Sequence, residues 1–209
     1  EAMQRAFQAG HDIHTATAAQ VFHVAPEDVT HEMRRRAKAV NFGIVYGISA
    51  YSLSQDIGVT VAEAKDYMEA YFASFPGVKA YMEAVVARAR ENGYVETLFH
   101  RRRDLPELKS SNFNLRSFGE RVALNMPIQG TAADLMKLAM VAVHRRLKAE
   151  GLRARLVLQV HDELIVECPE AEAETVARLL AEEMQGVAHL AVPLTAEAHW
   201  GRNWLEAKG

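Results

Sequence analysis

The chain has 209 residues, 49% of them hydrophobic, with 24 Lys+Arg against 27 Asp+Glu, one cysteine and a formal net charge of −3. That composition excludes a disordered tail, which would need fewer apolar residues and a larger charge imbalance, and no apolar run reaches the roughly 18 residues of a membrane span. The lone Cys168 excludes an intrachain disulfide and a multi-cysteine zinc site, so folding rests on apolar burial, and a reducing compartment is expected. No basic stretch leads into an apolar one as in a signal peptide. A chain starting at Glu1 rather than Met reads as an excised piece of something longer.

Residues 1–125 hold 15 basic and 15 acidic side chains and residues 126–209 hold 9 and 12, so the two parts carry 0 and −3. Bulk charge therefore makes no case for nucleic-acid binding. Local clusters do: Arg34, Arg35 and Arg36 with Lys38, and His100 with Arg101, Arg102 and Arg103. The plain alternative for either cluster is a solvated face.

In chain order, Thr30 as N-cap, Glu32 in the first turn and Gly47 as terminator predict a helix over 31–46. Helical periods follow over about 61–72 and 78–92, punctuated by Pro76-Gly77 and Asn92-Gly93. The stretch 94–111 has no helical period and contains Pro106, so it is expected to be loop. A helix over about 115–124 should stop near Pro127, and another should run from about 131 to 150 before Gly151. From Arg155 the period changes to two: Leu156, Leu158 and Val160 alternate with Val157, Gln159 and His161. After Asp162-Glu163 the run Leu164-Ile165-Val166-Glu167-Cys168 completes a hairpin pattern. Pro169 opens a helix over about 170–185, and 192–199 reads as a last strand. The class is α+β, a helical region followed by a sheet-bearing one.

Two places carry chemistry. On the 31–46 helix, steps of four residues turn a side chain by only about 40°, so Arg34, Lys38, Phe42 and Tyr46 share one face, while Met33, Ala37, Val40 and Ile44 form the face to bury. The stripe from Arg34 to Tyr46 is about 18 Å long, comparable to a nucleoside triphosphate laid lengthwise. Cations at one end suit phosphates, and rings at the other suit sugar and base. An exposed basic face with two aromatics packed on a neighbour is the competing reading, and Val45 within the stripe favours it. Gly43 inside the helix is unfavourable by about 0.5–1 kcal/mol relative to Ala and hints at a close approach on that side. The second place is His161-Asp162-Glu163 between two apolar strands, where turn chemistry alone would favour Gly or Asn. Two-metal phosphoryl transfer needs carboxylate oxygens on hard cations, and Asp162 could supply one ligand but not a whole site.

The run from Arg34 to Gly47, with Arg34, Lys38, Asn41-Phe42-Gly43 and Tyr46-Gly47, resembles the fingers helix of the A family of DNA polymerases. Gln159-Val160-His161-Asp162-Glu163 resembles that family's palm motif with one catalytic aspartate. Asn125-Met126-Pro127-Ile128-Gln129-Gly130-Thr131-Ala132-Ala133-Asp134, Asp12-Ile13-His14-Thr15, and Val192-Pro193-Leu194 with Trp204 are similar to further family stretches. The resemblance spans essentially the whole chain in five ordered motifs. It departs at His100, where the family usually has glycine before the triple arginine, and at Asp104, where an aromatic is common.

The resemblance implies a fingers subdomain over 1–120 and the C-terminal part of an antiparallel-sheet palm over 121–209. It implies that Lys38 and Asp162 act in catalysis, that His14, Arg34, Lys38, Phe42 and Tyr46 bind the incoming deoxynucleoside triphosphate, and that Tyr46, Arg121, Asn125, Gln129 and His161 contact primer–template DNA. Asp162, with Glu163 close by, would hold Mg2+, two ions serving the complete enzyme. The family's other metal-binding aspartate would lie upstream of Glu1, so the expected partner is the remainder of the same polymerase chain, with no membrane and a bacterial cytoplasmic, nucleoid-associated location. This piece alone is expected to be inactive. A single-subunit RNA polymerase is an alternative that Phe42 argues against, since the resemblance associates ribonucleotide use with tyrosine there. A non-catalytic nucleic-acid-binding module is another.

Overall fold

The computed structural model describes residues 2–10 and 12–208 and divides into two compact units, Glu1–Ile128 and Gln129–Gly209. The first unit begins with α1 (Ala2–Gln8) and α2 (Ile13–Phe22), the latter capped by Asp12, whose carboxylate accepts from the His14 N–H. Then comes α3 (His31–Val45). Thr30 caps it by accepting from the Met33 N–H, which satisfies one of the four donors a helix start leaves unpaired. At its other end Gly47 adopts φ +71°, and the Ile48 N–H returns to the Gly43 carbonyl at 2.8 Å. The expected 31–46 helix is thus present to within a residue.

The return also accounts for Gly43. A Cβ there would stand 2.8 Å from the Ile48 Cγ2, so the close approach that the glycine permits is made by the chain itself.

Helices α4 (Ala50–Ile57) and α5 (Val61–Ser74) follow, the second opened by a reciprocal capping box between Thr60 and Glu63. With α3 they enclose the first core, in which Val40, Ile44, Leu53, Ile57, Ala64, Tyr71 and Phe75 are buried together. Helix α6 (Pro76–Asn92) starts on a proline, where a missing N–H is harmless, and ends at Gly93 with φ +80°. The stretch expected to be loop instead contains a small antiparallel pair, β1 (Tyr94–Glu96) with β2 (Arg102–Asp104), and a short 3-10 turn over Pro106–Lys109. Arg102 explains the pairing. Its guanidinium lies 3.8 Å over the Tyr94 ring of β1, a cross-strand contact that composition does not reveal, and is held there by its own strand, where its Nε donates to Asp104 at 2.7 Å. His100 sits in this turn at φ +62°, a conformation glycine adopts without a Cβ clash. That is a backbone reason for the glycine usual at this point of the family pattern. Val85, Ala89, Val95, Leu105, Leu108 and Ala123 form a second core.

The break expected at Pro127 does not occur. The two helices separated at Pro127 are a single helix, α7 (Phe113–Ala149), with Pro127 inside it. An interior proline removes a hydrogen bond and is unfavourable by about 3 kcal/mol, but the turns on either side are anchored by burial: Ala123 before it, and Ala139, Val143 and Leu147 after it.

In the second unit β3 (Arg155–Val160) pairs with β4 (Glu163–Glu167) around a two-residue turn, as the alternation predicts, with an irregularity between Leu156 and Leu158. Leu164 of β4 joins Ala139, Val143 and Leu147 of α7 and Val176 and Leu179 of α8 (Ala173–Gly186) in the third core. The predicted 170–185 helix is preceded by one 3-10 turn at Glu170–Glu172. The predicted strand over 192–199 is absent: among the described residues each sheet has two strands, and this run has no neighbour to pair with. A short α9 (Trp204–Lys208) ends the description. No described helix is long and apolar enough to cross a membrane.

Candidate functional site

In the first unit the stripe residues stand out from the core as the helical period requires. Ala37, Val40 and Ile44 are at most 1% exposed, whereas Phe42 and Tyr46 are 46% and 39% exposed. The stripe is internally organised. Lys38 Nζ lies 5.9 Å from the Phe42 ring centroid, and the Phe42 and Tyr46 rings stack 6.4 Å apart at 15°. Across from them α2 brings His14, whose ring centre is 5.6 Å from that of Phe42. Five of the residues named from sequence, His14, Arg34, Lys38, Phe42 and Tyr46, therefore form one surface built on two adjacent helices.

The cations of this surface are not equivalent. Arg35 and Arg36 both bond Glu32 on their own helix, holding its carboxyl well down at about 2. Arg34 reaches across to α2, its Nε donating to Asp12 Oδ2 at 2.5 Å. That guanidinium, helped by the Thr15 hydroxyl and the His14 N–H, lowers the Asp12 carboxyl to about 2 despite partial burial. Lys38 is exposed and has no carboxylate partner among the described residues. Of the basic cluster, then, Arg34 is held by Asp12 at the edge of the stripe and Lys38 is available to an anion.

His14 is half-buried, and burial moves its imidazole pKa down, with Asp12 opposing and Arg34 and Lys38 reinforcing. Its Nδ1 receives the Asn41 Nδ2 at 3.0 Å, and the Asn41 Oδ1 accepts the Thr17 hydroxyl at 3.1 Å. Thr17 is fully buried and Asn41 only 9% exposed. Asp12 and Asn41 lie within sequence motifs that do not single them out as individual side chains, and Thr17 lies outside every motif. The signal for Asn41 was a polar residue four positions from Ala37 and three from Ile44, in register with the buried face.

Below the two rings a cleft of about 630 Å³ opens, lined among others by Phe42, Gly43, Tyr46, Gly47, Ser49 and Arg121. Space is also tight at Gly47, where a Cβ would stand 3.1 Å from Leu124 Cδ1 and that side chain would have to give way. Arg121 is exposed on α7 and shares this cleft with Tyr46. Asn125, one turn further along, is half-buried with its Oδ1 enclosed and lacking a hydrogen-bond partner.

In the second unit Gln129 is exposed on α7, and His161, Asp162 and Glu163 form the tip of the β3–β4 hairpin. His161 has φ +51°, which costs a non-glycine residue of order 1–3 kcal/mol; the Gln159 amide steadies the turn by donating to the His161 carbonyl at 2.7 Å. Asp162 is exposed, while Glu163 is half-buried with an oxygen 3.5 Å from Lys208 Nζ. Among the described residues no three His, Cys, Asp or Glu side chains converge to hold a metal ion. Mg2+ commonly takes only one or two carboxylates together with phosphate oxygens and water. Asp162, aided by Glu163, fits such a partial share.

The family model for DNA polymerase family A matches residues 1–206. The chain is 57% identical over 203 residues to DNA polymerase I of Geobacillus stearothermophilus, covering 97% of this chain and 23% of that protein. Against DNA polymerase I of Bacillus subtilis it is 55% identical over 208 residues, covering 24% of that relative. The chain thus spans about a quarter of the length of the curated relatives it matches. The fold superposes on the POL domain of Pol1 from M. smegmatis, solved in complex with DNA primer-template and dNTP, with a TM-score of 0.95 at 46% identity, over 99% of this chain and 36% of that one. With the whole set of sequence motifs in a matching fold, the chain belongs to DNA polymerase family A.

Proposed function

We propose that this chain forms the fingers, over 1–120, and the C-terminal part of the palm, over 121–209, of a bacterial polymerase that adds deoxynucleotides to a primer 3′ end as a template directs. The observation that carries the reading is the surface shared by α2 and α3, where His14, Arg34, Lys38 and Phe42 come together outside the core. Arg34 and Lys38 bind the triphosphate of the incoming nucleotide, His14 donates to it, and Phe42 lies against the sugar. Tyr46, above the cleft it shares with Arg121, takes the templating position, and Asn125, Gln129 and His161 contact the primer–template beside the new pair. Asp162 holds Mg2+ with Glu163 beside it, and the ion, when bound, neutralises charge developing on the transferred phosphate. A second ion and the further carboxylate it needs belong to the complete polymerase, working at the nucleoid.

In the complete polymerase, Lys38→Ala is expected to lower kcat/KM for nucleotide by at least roughly tenfold, the effect of losing one hydrogen bond to a charged group. Duplex affinity and its salt dependence should hardly move, because Lys38 would not touch the DNA backbone. Steady-state kinetics beside a salt titration of duplex binding check this. Weakened DNA binding with unchanged nucleotide kinetics would instead make the stripe a general basic face.

The 209-residue piece by itself is expected to give no magnesium-dependent primer extension, since among its described residues no three His, Cys, Asp or Glu side chains converge to hold a metal ion and Asp162 with Glu163 makes at most part of a site. A gel assay with purified protein and a labelled primer is sufficient, and extension above background would overturn the partial-site reading.

A further inference from the structure

The Thr17–Asn41–His14 chain does more than fill space between α2 and α3. A buried asparagine presents an acceptor at one end of its amide and donors at the other. Here the Asn41 Oδ1 takes the Thr17 hydroxyl at 3.1 Å and the donor end of the same amide faces His14 Nδ1 at 3.0 Å. A ring nitrogen facing an N–H must offer its lone pair, which puts the imidazole proton on Nε2. Nε2 lies across the ring, away from buried Asn41. Phe42, the next residue along α3, fixes the ring from the side, with centroids 5.6 Å apart at 46°.

We propose that Asn41, oriented by Thr17, is a positioning residue that locks His14 as its Nε2–H tautomer, so that this ring donates to an oxygen of the bound triphosphate. The inference rests on the reading of His14 as a triphosphate contact and adds the group that makes it a donor. Neutral His14 then donates without needing to be protonated. The charged groups acting on it are Asp12 at the start of its own helix and Arg34 and Lys38 from α3. Arg34 is tied to Asp12, so Asp12 is not a free acceptor that could reverse the tautomer.

Asn41→Asp keeps the side-chain shape but replaces the donor by an acceptor. The complete polymerase, labelled with 15N-histidine, is examined by long-range 1H–15N correlation, with the His14 signals identified by their loss in His14→Gln. The wild type is expected to show Nε2–H. Asn41→Asp should move the proton to Nδ1, Thr17→Val should move it part of the way by releasing the amide, and Thr17→Ser should resemble the wild type. Nucleotide KM for Asn41→Asp should be roughly tenfold above wild type at about pH 8.5, and the gap should close toward about pH 6.5 as the imidazolium restores a donor at Nε2. Duplex affinity should be unchanged throughout.

A wild-type Nδ1–H signal, or a tautomer indifferent to both Asn41→Asp and Thr17→Val, overturns the proposal. So does a KM penalty independent of pH, which is what loosened helix packing alone would give. A tautomer that shifts as expected with no change in KM leaves Asn41's hold on His14 standing and overturns His14 as a triphosphate donor.

Discussion

Asp162→Ala in the complete polymerase is expected to abolish turnover, by at least about 10³-fold, more than the usual loss of a single hydrogen-bond donor to a developing charge. Asp162 is exposed at the tip of a hairpin whose register is set by residues on either side, so its removal leaves the fold in place. A surface change of this kind shifts stability by no more than about 0.5 kcal/mol. Duplex affinity should also persist, because contacts to a DNA backbone would be made by cations and not by a carboxylate. Glu163→Gln should be milder. It keeps the shape and one acceptor oxygen, and the ion pair it gives up with Lys208, 3.5 Å apart and solvent-exposed, is worth less than about 1 kcal/mol. Single-turnover extension measured alongside duplex binding separates the two properties, and near-normal turnover in Asp162→Ala would show that the metal is held elsewhere.

Phe42→Tyr is expected to change substrate choice rather than speed. The Phe42 ring lies 5.9 Å from Lys38 Nζ and 5.6 Å from the His14 ring, so a sugar laid against it would be held within reach of the groups assigned to the triphosphate. A nucleotide's 3′-hydroxyl can bond within its own triphosphate and help to orient it. A dideoxynucleotide lacks that group, and Phe42 has no hydroxyl to stand in for it. Tyrosine adds one, and a recovered hydrogen bond to a charged phosphate is worth about 1.5–3 kcal/mol, roughly tenfold to hundredfold in selectivity. Because Phe42 is 46% exposed, the added hydroxyl is not buried and the fold should tolerate it. Dideoxynucleotides should become far better substrates while normal ones barely change, as competition between each pair would reveal. An unchanged ratio of kcat/KM values, with lower stability, would make Phe42 a packing residue.

Arg34, Lys38, Phe42 and Tyr46 could be read as a stripe because helix α3 is specified within about five residues of each of its ends: Thr30 satisfies the Met33 N–H, and Gly47 supplies the left-handed turn that ends it. Once the ends and the period are known, which side chains leave the core follows. The hairpin was legible for the same kind of reason, a change of period at Arg155 and two polar residues between apolar runs. These features are local, and local chemistry is written in order along the chain.

Pro127, the 192–199 run and Asn41 were decided otherwise. A proline that should end a helix is kept inside α7 because burial of Ala123 on one side and Ala139, Val143 and Leu147 on the other outweighs a lost hydrogen bond. The 192–199 run has strand-like residues but no ladder partner among the described residues, and a strand exists only through its neighbour. Asn41 looks like an ordinary polar interruption until α2 packs on α3, when its amide meets Thr17 and His14, 24 and 27 positions away. Caps, turns and the exposed face of α3 can be read directly along the chain, because their partners lie within a few residues. Which polar groups meet across helices and which breaks are overridden emerges only on packing, since both depend on burial between segments far apart in the chain.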